Sequence, residues 1–159
     1  MQLHIGTKQV TAQPMTRQAY NDYRGWTLPA DEDGTDEGYL VEYLDGGKPN
    51  HPAHAGYISW SPKAQFDAAY RPTTGMTFGL AIEAMKAGKR VARDGWNGKG
   101  LSLSIVGPGA GNPMSLPFIC MRYPLHPASD SAPANHIGAS VPWLASQTDC
   151  LADDWQIVS

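Results

Sequence analysis

The stretch RPTTG, Arg71–Gly75, constrains this chain more than any other. Pro72 has no N–H to give to a helix or an inner strand, and it pushes Arg71 out of helical backbone. On either side stand blocks that each carry their own strand alternation and helix periodicity. A chain of 159 residues holds one ordinary domain or two small ones. A break at this place selects two, residues 1–72 and 74–159. The 17 glycines and 13 prolines then confine each half to short elements joined by turns.

In the first half, IGTKQVTAQ has the mixed β-branched and polar character of a strand. MTRQAYNDYRG reads as a short helix, with Thr16 as cap, Tyr20 and Tyr23 on one face and Gly25 at the stop. ADEDGTDEG reads as a solvated acidic connection. YLVEYLD and GYISW read as strands; in the first, Leu40, Glu42 and Leu44 face one way, and Tyr39, Val41 and Tyr43 the other. SPKAQFDAAY reads as a helix capped by Ser61, with Pro62 at its first position and Phe66 and Tyr70 on one face. His51 and His54 are three apart, but Pro52 lies between them in a proline-rich loop, so a solvated loop is expected there rather than a zinc pair. This half shows no nucleophile–base pair and no glycine-rich phosphate loop.

The second half opens on MTFGLAIEAMKAGKRV. Thr77 caps, and Phe78, Ala81, Ile82 and Met85 have the i, i+3, i+4, i+7 spacing of one apolar helix stripe, which reads as core. Lys86, Lys89 and Arg90 stand where the helix dipole favours cations, and Gly88 suits the stop. VARDGW and LSLSIV read as strands around an NGKG turn, with Leu101, Leu103 and Ile105 inward and Ser102 and Ser104 on a polar face. LPFICMRYP is a third strand. LHPASDSAPANHIGAS is a long loop, QTDCLA a helical turn capped by Ser146, and DWQIV a last strand. The expected fold is α+β: two small modules, each a short antiparallel sheet with one or two helices.

Charge and cysteine use narrow the function. The formal net charge is −3 with no basic stripe, which disfavours a nucleic acid polymer as partner. No apolar run is long enough to cross a membrane and no leader pattern opens the chain, so a soluble, non-secreted protein without membrane partners is expected. Cys120 and Cys150 read as reduced thiols in a cytosolic setting. No metal set and no cofactor motif stands out.

Two clusters combine aromatic faces with small polar groups: Arg93, Trp96 and Asn97; and Trp143, Ser146, Gln147, Thr148 and Asp149. Trp and Arg offer flat surfaces to a nucleobase, and the amides, hydroxyls and carboxylate suit base edges and ribose. Packing is the competing role for each Trp, and is the expected one for Trp155. Helix capping is the competing role for Ser146 and Asp149. Asp153 and Asp154 are adjacent and would point to opposite faces of a strand, a poor acid–base dyad. From these residues alone the reading stops at a small α+β domain with the groups to bind a nucleotide-like ligand.

MTFGLAIEAMKAGKRVARDGWNGKG, then LPFICMR, then VPWLASQTDCLADDWQIV closely resembles the phage Thoeris anti-defence domain of the second type, over Thr74 to Val158. The first half resembles a different small family of tailed-phage proteins, so the chain looks like a fusion of two phage modules. The first resemblance implies a sponge. Such proteins form homotetramers in the cytoplasm of the infected bacterial host. They sequester cyclic ADP-ribose isomers made by TIR-domain enzymes, some also cyclic dinucleotides, and release them intact. It places the ligand at subunit interfaces, against Trp96 and Asn97 and against Trp143 with Ser146 to Asp149; Arg93 stands beside them. By it Trp96 packs on the adenine or on a neighbouring subunit. Two departures are visible: the loop from Leu125 to Ser140 is longer and richer in proline than the family's, and Cys150 stands where the family often has an apolar residue. The rival readings are a phage structural or interaction protein without a ligand and, third, an enzyme that degrades the nucleotide.

Overall fold

A computed structural model describes residues 1–96, 100–109, 111–125 and 136–158. Asn97 and most of the expected NGKG turn lie outside the described residues, as does the middle of the long proline-rich loop. The chain forms two compact units, Met1–Tyr70 and Arg71–Ser159.

In the first unit β1 (Val10–Pro14), β2 (Gly38–Tyr43) and β3 (Tyr57–Pro62) form an antiparallel sheet with β2 central. β1 begins at Val10, later than its sequence pattern suggested; its register with β2 starts at Val10 opposite Tyr43, and before it only Gln9 O accepts from Leu44 N at 3.4 Å among the backbone bonds of the described residues. Helix α1 (Arg17–Arg24) starts where Thr16 accepts the Ala19 amide and ends at Gly25, whose φ of 68° is the left-handed stop that glycine adopts without cost. Tyr20 on α1 meets Leu40 and Ile58 of the sheet to make the core, with Met15 and Trp60 packed against it. The acidic loop is more than a solvated connection. It returns to the start of α1, where Arg17 N donates to Asp36 O and the Arg17 guanidinium lies 2.6 Å from Glu32.

Helix α2 (Lys63–Ala69) corrects the expected cap. Ser61 stays in the β3 ladder opposite Tyr39, and Pro62 takes the N-cap with no side-chain hydrogen bond. Strand pairing holds Ser61 extended, and Pro62 loses nothing at a position whose amide has no helical partner. Phe66 stacks between Tyr39 and Tyr70, at 4.2 and 4.8 Å. His51 and His54 are also less free than expected. His54 bridges the Tyr23 hydroxyl and the Glu42 carboxylate at 2.9 Å each, and His51 stacks on the Tyr23 ring.

In the second unit five antiparallel strands lie in the order β7-β6-β5-β4-β8. They are β4 (Arg90–Arg93), β5 (Ser102–Val106), β6 (Phe118–Arg122), β7 (Ser140–Pro142) and β8 (Trp155–Val158). β7 arises from what reads in sequence as the end of a loop. Helix α3 (Phe78–Lys86) is capped by Thr77 and lays Ala81, Ala84 and Met85 on Val91, Leu103 and Trp155. A short α4 (Gln147–Cys150) precedes β8. Strand alternation points Val91, Leu103 and Ile157 toward α3 and Ala92, Ser102 and Gln156 away from it. The expected polar face of β5 is not simply solvated: Ser102 is buried, and Ser104 accepts from Arg122 Nε at 2.9 Å.

Candidate ligand site

The site begins with the end of β4. Arg93 is the last residue of that strand, paired with Trp155 of β8, and the chain then turns at Asp94 and Gly95. The turn is tied to β8's approach. Asp94 N donates to the Asp154 carbonyl, and Gly95 N donates to the Asp154 carboxylate at 2.9 Å. The approach is close: a Cβ at position 95 would sit 2.9 Å from Asp154 Oδ2 and would push that carboxylate aside.

Arg93 is clamped between two acids. Its Nε donates to Asp154 Oδ1 at 2.8 Å and its Nη1 to Asp149 Oδ1 at 2.9 Å. The three side chains are only 20%, 13% and 30% exposed for Arg93, Asp149 and Asp154, so water screens the pairs little. Asp149 also completes a capping box. The Asp149 amide donates to Ser146 Oγ, while the Ser146 amide and hydroxyl donate to Asp149 Oδ2 at 3.1 and 2.6 Å. Burial works to raise the Asp149 carboxyl, but hydrogen bonds from Ser146, Arg93 and Trp96 outweigh it and hold the group below the usual carboxylate range. The Arg93 guanidinium, followed by burial's smaller opposing effect and the Gly95 amide, leaves Asp154 lowered likewise. Arg93 is in turn raised by Asp154 and Asp149.

Trp96 packs inside its own unit. Its indole meets Trp155 edge-on at 5.5 Å and Trp143 at 6.1 Å, and its Nε1 donates to Asp149 Oδ1 at 3.3 Å. Phe78 of α3 closes the cluster against Trp155 at 5.2 Å and Trp143 at 6.0 Å. Trp155 is fully buried, as a packing residue, and its Nε1 donates to the Asp149 carbonyl at 3.0 Å. Trp96 and Trp143 are half-buried.

The structure thus brings Arg93, Trp96, Trp143, Ser146 and Asp149 together. Thr148 joins them through a 2.8 Å contact between its hydroxyl and that of Ser146. Gln147 is exposed on α4, with no side-chain hydrogen bond among the described residues. Asn97 lies outside the described residues. Sequence reasoning passed over Asp154 by weighing it only as half of a dyad with Asp153; its signal was the RDG turn, which needs an acceptor. Phe78 was assigned to core and also borders the site.

Both carboxylates are held below the usual carboxylate range and share the single positive charge of Arg93, so neither is poised to donate a proton near neutral pH. What the arrangement offers a ligand is the free parts of two half-buried indoles, the Thr148 hydroxyl oxygen as an acceptor and the Gln147 amide, since the Ser146 hydroxyl is spent on Asp149 and Thr148. That chemistry suits stacking and hydrogen bonding.

Comparison with known proteins agrees with this half of the chain. The model of the Thoeris anti-defense 2-like domain matches residues 76–158. Thoeris anti-defense 2 of Bacillus phage SP01 is 37% identical over 95 residues, covering 54% of this chain and 98% of that protein. Through its second unit, the chain belongs to the Thoeris anti-defense 2-like family.

Proposed function

We propose that the protein serves a phage in countering Thoeris defence by binding and sequestering cyclic ADP-ribose isomers, without cleaving them, in the cytoplasm of the infected host. The anti-defence role follows from the family. The observation that carries the finer reading is the pair of half-buried indoles, Trp96 and Trp143, beside the Thr148 hydroxyl and the Gln147 amide. Together they make a platform for a base and its ribose. The same site takes related cyclic nucleotides, including cyclic dinucleotides, if its polar groups meet them. Asp149 and Asp154, both held below the usual carboxylate range, give no proton near neutral pH, which is in keeping with binding without turnover.

The protein works as a homotetramer with the ligand between subunits. Leu144 and Leu151, on either side of α4, are 91% and 86% exposed, apolar surface that a neighbouring copy would cover. Light scattering at micromolar concentration is expected to give four times the 17.2 kDa chain mass; a monomer at every dilution overturns the interface site.

A sponge must outcompete the effector for its signal, which asks for nanomolar affinity, roughly −12 kcal/mol. The test mixes protein with a panel of cyclic ADP-ribose isomers and cyclic dinucleotides, measures free ligand, then heats and analyses the supernatant. Loss of free ligand followed by recovery at its original mass is expected. A cleaved product that grows with time makes the protein an enzyme. No depletion by any ligand favours the other reading, an interaction module, to which the mutual satisfaction of Arg93, Asp149 and Trp96 also lends itself.

A further inference from the structure

On the face of the second sheet turned away from α3 lies a cavity of about 220 Å³. Arg90 and Ala92 of β4, Ser102 of β5 and Gln156 and Val158 of β8 line it, with Asp94 at the turn beyond β4. Trp96 and Arg93 border it, so it adjoins the tryptophan site without sharing that site's α4 residues. Three features mark it as built to hold something polar. Ser102 is only 4% exposed, yet its hydroxyl has no hydrogen-bond partner among the described residues. The hydroxyl keeps a little accessible surface at the cavity, so its donor and acceptor capacity is open to a ligand or to water. Arg90 has no acidic partner among the described residues, whereas the guanidinium of Arg93 is spent on Asp149 and Asp154. Gln156 and Asp94 likewise have side chains free of partners there.

We propose that this cavity takes a phosphate group and the sugar that carries it. Arg90 faces the phosphate oxygens, for which a guanidinium is the best-matched donor, and the Ser102 hydroxyl donates to the same group. Asp94 accepts from a sugar hydroxyl, a role an unpaired carboxylate fills and an anion alone would not use. The volume decides how much enters. Whole ligands of nucleotide size fill pockets of about 300–1,000 Å³, so the ribose-phosphate end is held here and the base remains outside, toward Trp96. The assignment rests on the sequestration reading only for the identity of the whole ligand.

Nuclear magnetic resonance titration of the full chain with ADP-ribose, and separately with adenosine, tests it. ADP-ribose is expected to shift the amides of Ala92, Ser102 and Gln156, and adenosine to leave them in place. Arg90→Gln removes an exposed, unpartnered side chain, so the melting curve stays as in the wild type while affinity falls about tenfold, the worth of a charge-assisted hydrogen bond. Ser102→Ala is expected to weaken binding by less. Unchanged affinity in Arg90→Gln, shifts confined to the α4 side, or equal shifts with adenosine overturn the proposal. If the wild type and Arg90→Gln deplete a cyclic isomer equally, the phosphate site falls and sequestration stands. If ADP-ribose shifts these amides but no cyclic isomer is depleted, sequestration falls and the phosphate site stands.

Discussion

Trp96 Nε1 and Asp149 Oδ1 are 3.3 Å apart, across 53 residues of chain, and the same carboxylate oxygen accepts from Arg93 at 2.9 Å. The indole that looks in sequence like a loop-tip platform is therefore tied to the cap of α4. Structural support and the proposed ligand contact meet in one side chain.

Trp96→Ala is accordingly expected to destabilise the second unit, by about 2–3 kcal/mol, less than the 3–5 typical of a fully buried Trp because the ring is only half-buried. Trp96→Phe keeps the ring packing and loses the hydrogen bond, for about 1 kcal/mol. Urea unfolding monitored by circular dichroism separates the two. Equal stability of wild type and Trp96→Ala would mean the indole does not pack on Trp143 and Trp155.

Asp149→Asn tests the clamp on Arg93. It leaves a poorly screened guanidinium with one acid instead of two and weakens the capping box, for an expected loss of about 2–4 kcal/mol. Thr148→Ala removes a side chain whose hydrogen bonding among the described residues is to the Ser146 hydroxyl, and is expected to cost about 0.5 kcal/mol or less. Thermal melts of both variants, in parallel with ligand depletion, distinguish a scaffold residue from a contact.

Acid should unfold the second unit through the same pair. Asp149 and Asp154 are both held below their ordinary values in the fold. A depressed carboxyl stabilises the folded state in full above the unfolded value, about 3.9, and that stabilisation fades as pH falls through the folded value. The melting temperature is expected to be flat on this account from pH 7 to about pH 5 and to drop below about pH 4. In Asp154→Asn the drop is shallower from a lower plateau. An acid limb of the same slope in both proteins would remove the clamp from the explanation.

In the first unit Gly38 has no room for a side chain. A Cβ there overlaps the Trp60 indole and the carbonyl oxygen of Ser61 on the paired strand. Gly38→Ala is expected to cost about 1–3 kcal/mol, as overpacking against backbone does. Gly46→Ala, in open space but at a φ of 113°, isolates the cost of backbone strain alone. Chemical denaturation of the two variants gives the comparison.

Much of this molecule was legible along the chain, because the rules involved are local. Thr16, Thr77 and Ser146 each cap the helix they precede, and Gly25 and Gly88 take the left-handed backbone at helix ends. The stripe of Ala81 and Met85 faces the core since 3.6-residue periodicity needs no partner to be read. Clustering Arg93 with Trp96 and Trp143 with Asp149 needed only composition within short windows. Only the tertiary structure decided what those windows do to each other. It joined the two clusters through a carboxylate 56 residues from Arg93, assigned Asp154 to the turn after β4, and buried Ser102 on the face its alternation had marked as polar. Ser61 lost its cap because a strand partner outcompeted it, and His54 left solvent because Glu42 and Tyr23 came within reach. Caps and periodicities depend on neighbours a turn away. Charge pairing and burial depend on which strands lie side by side, and strand order is a property of the whole chain.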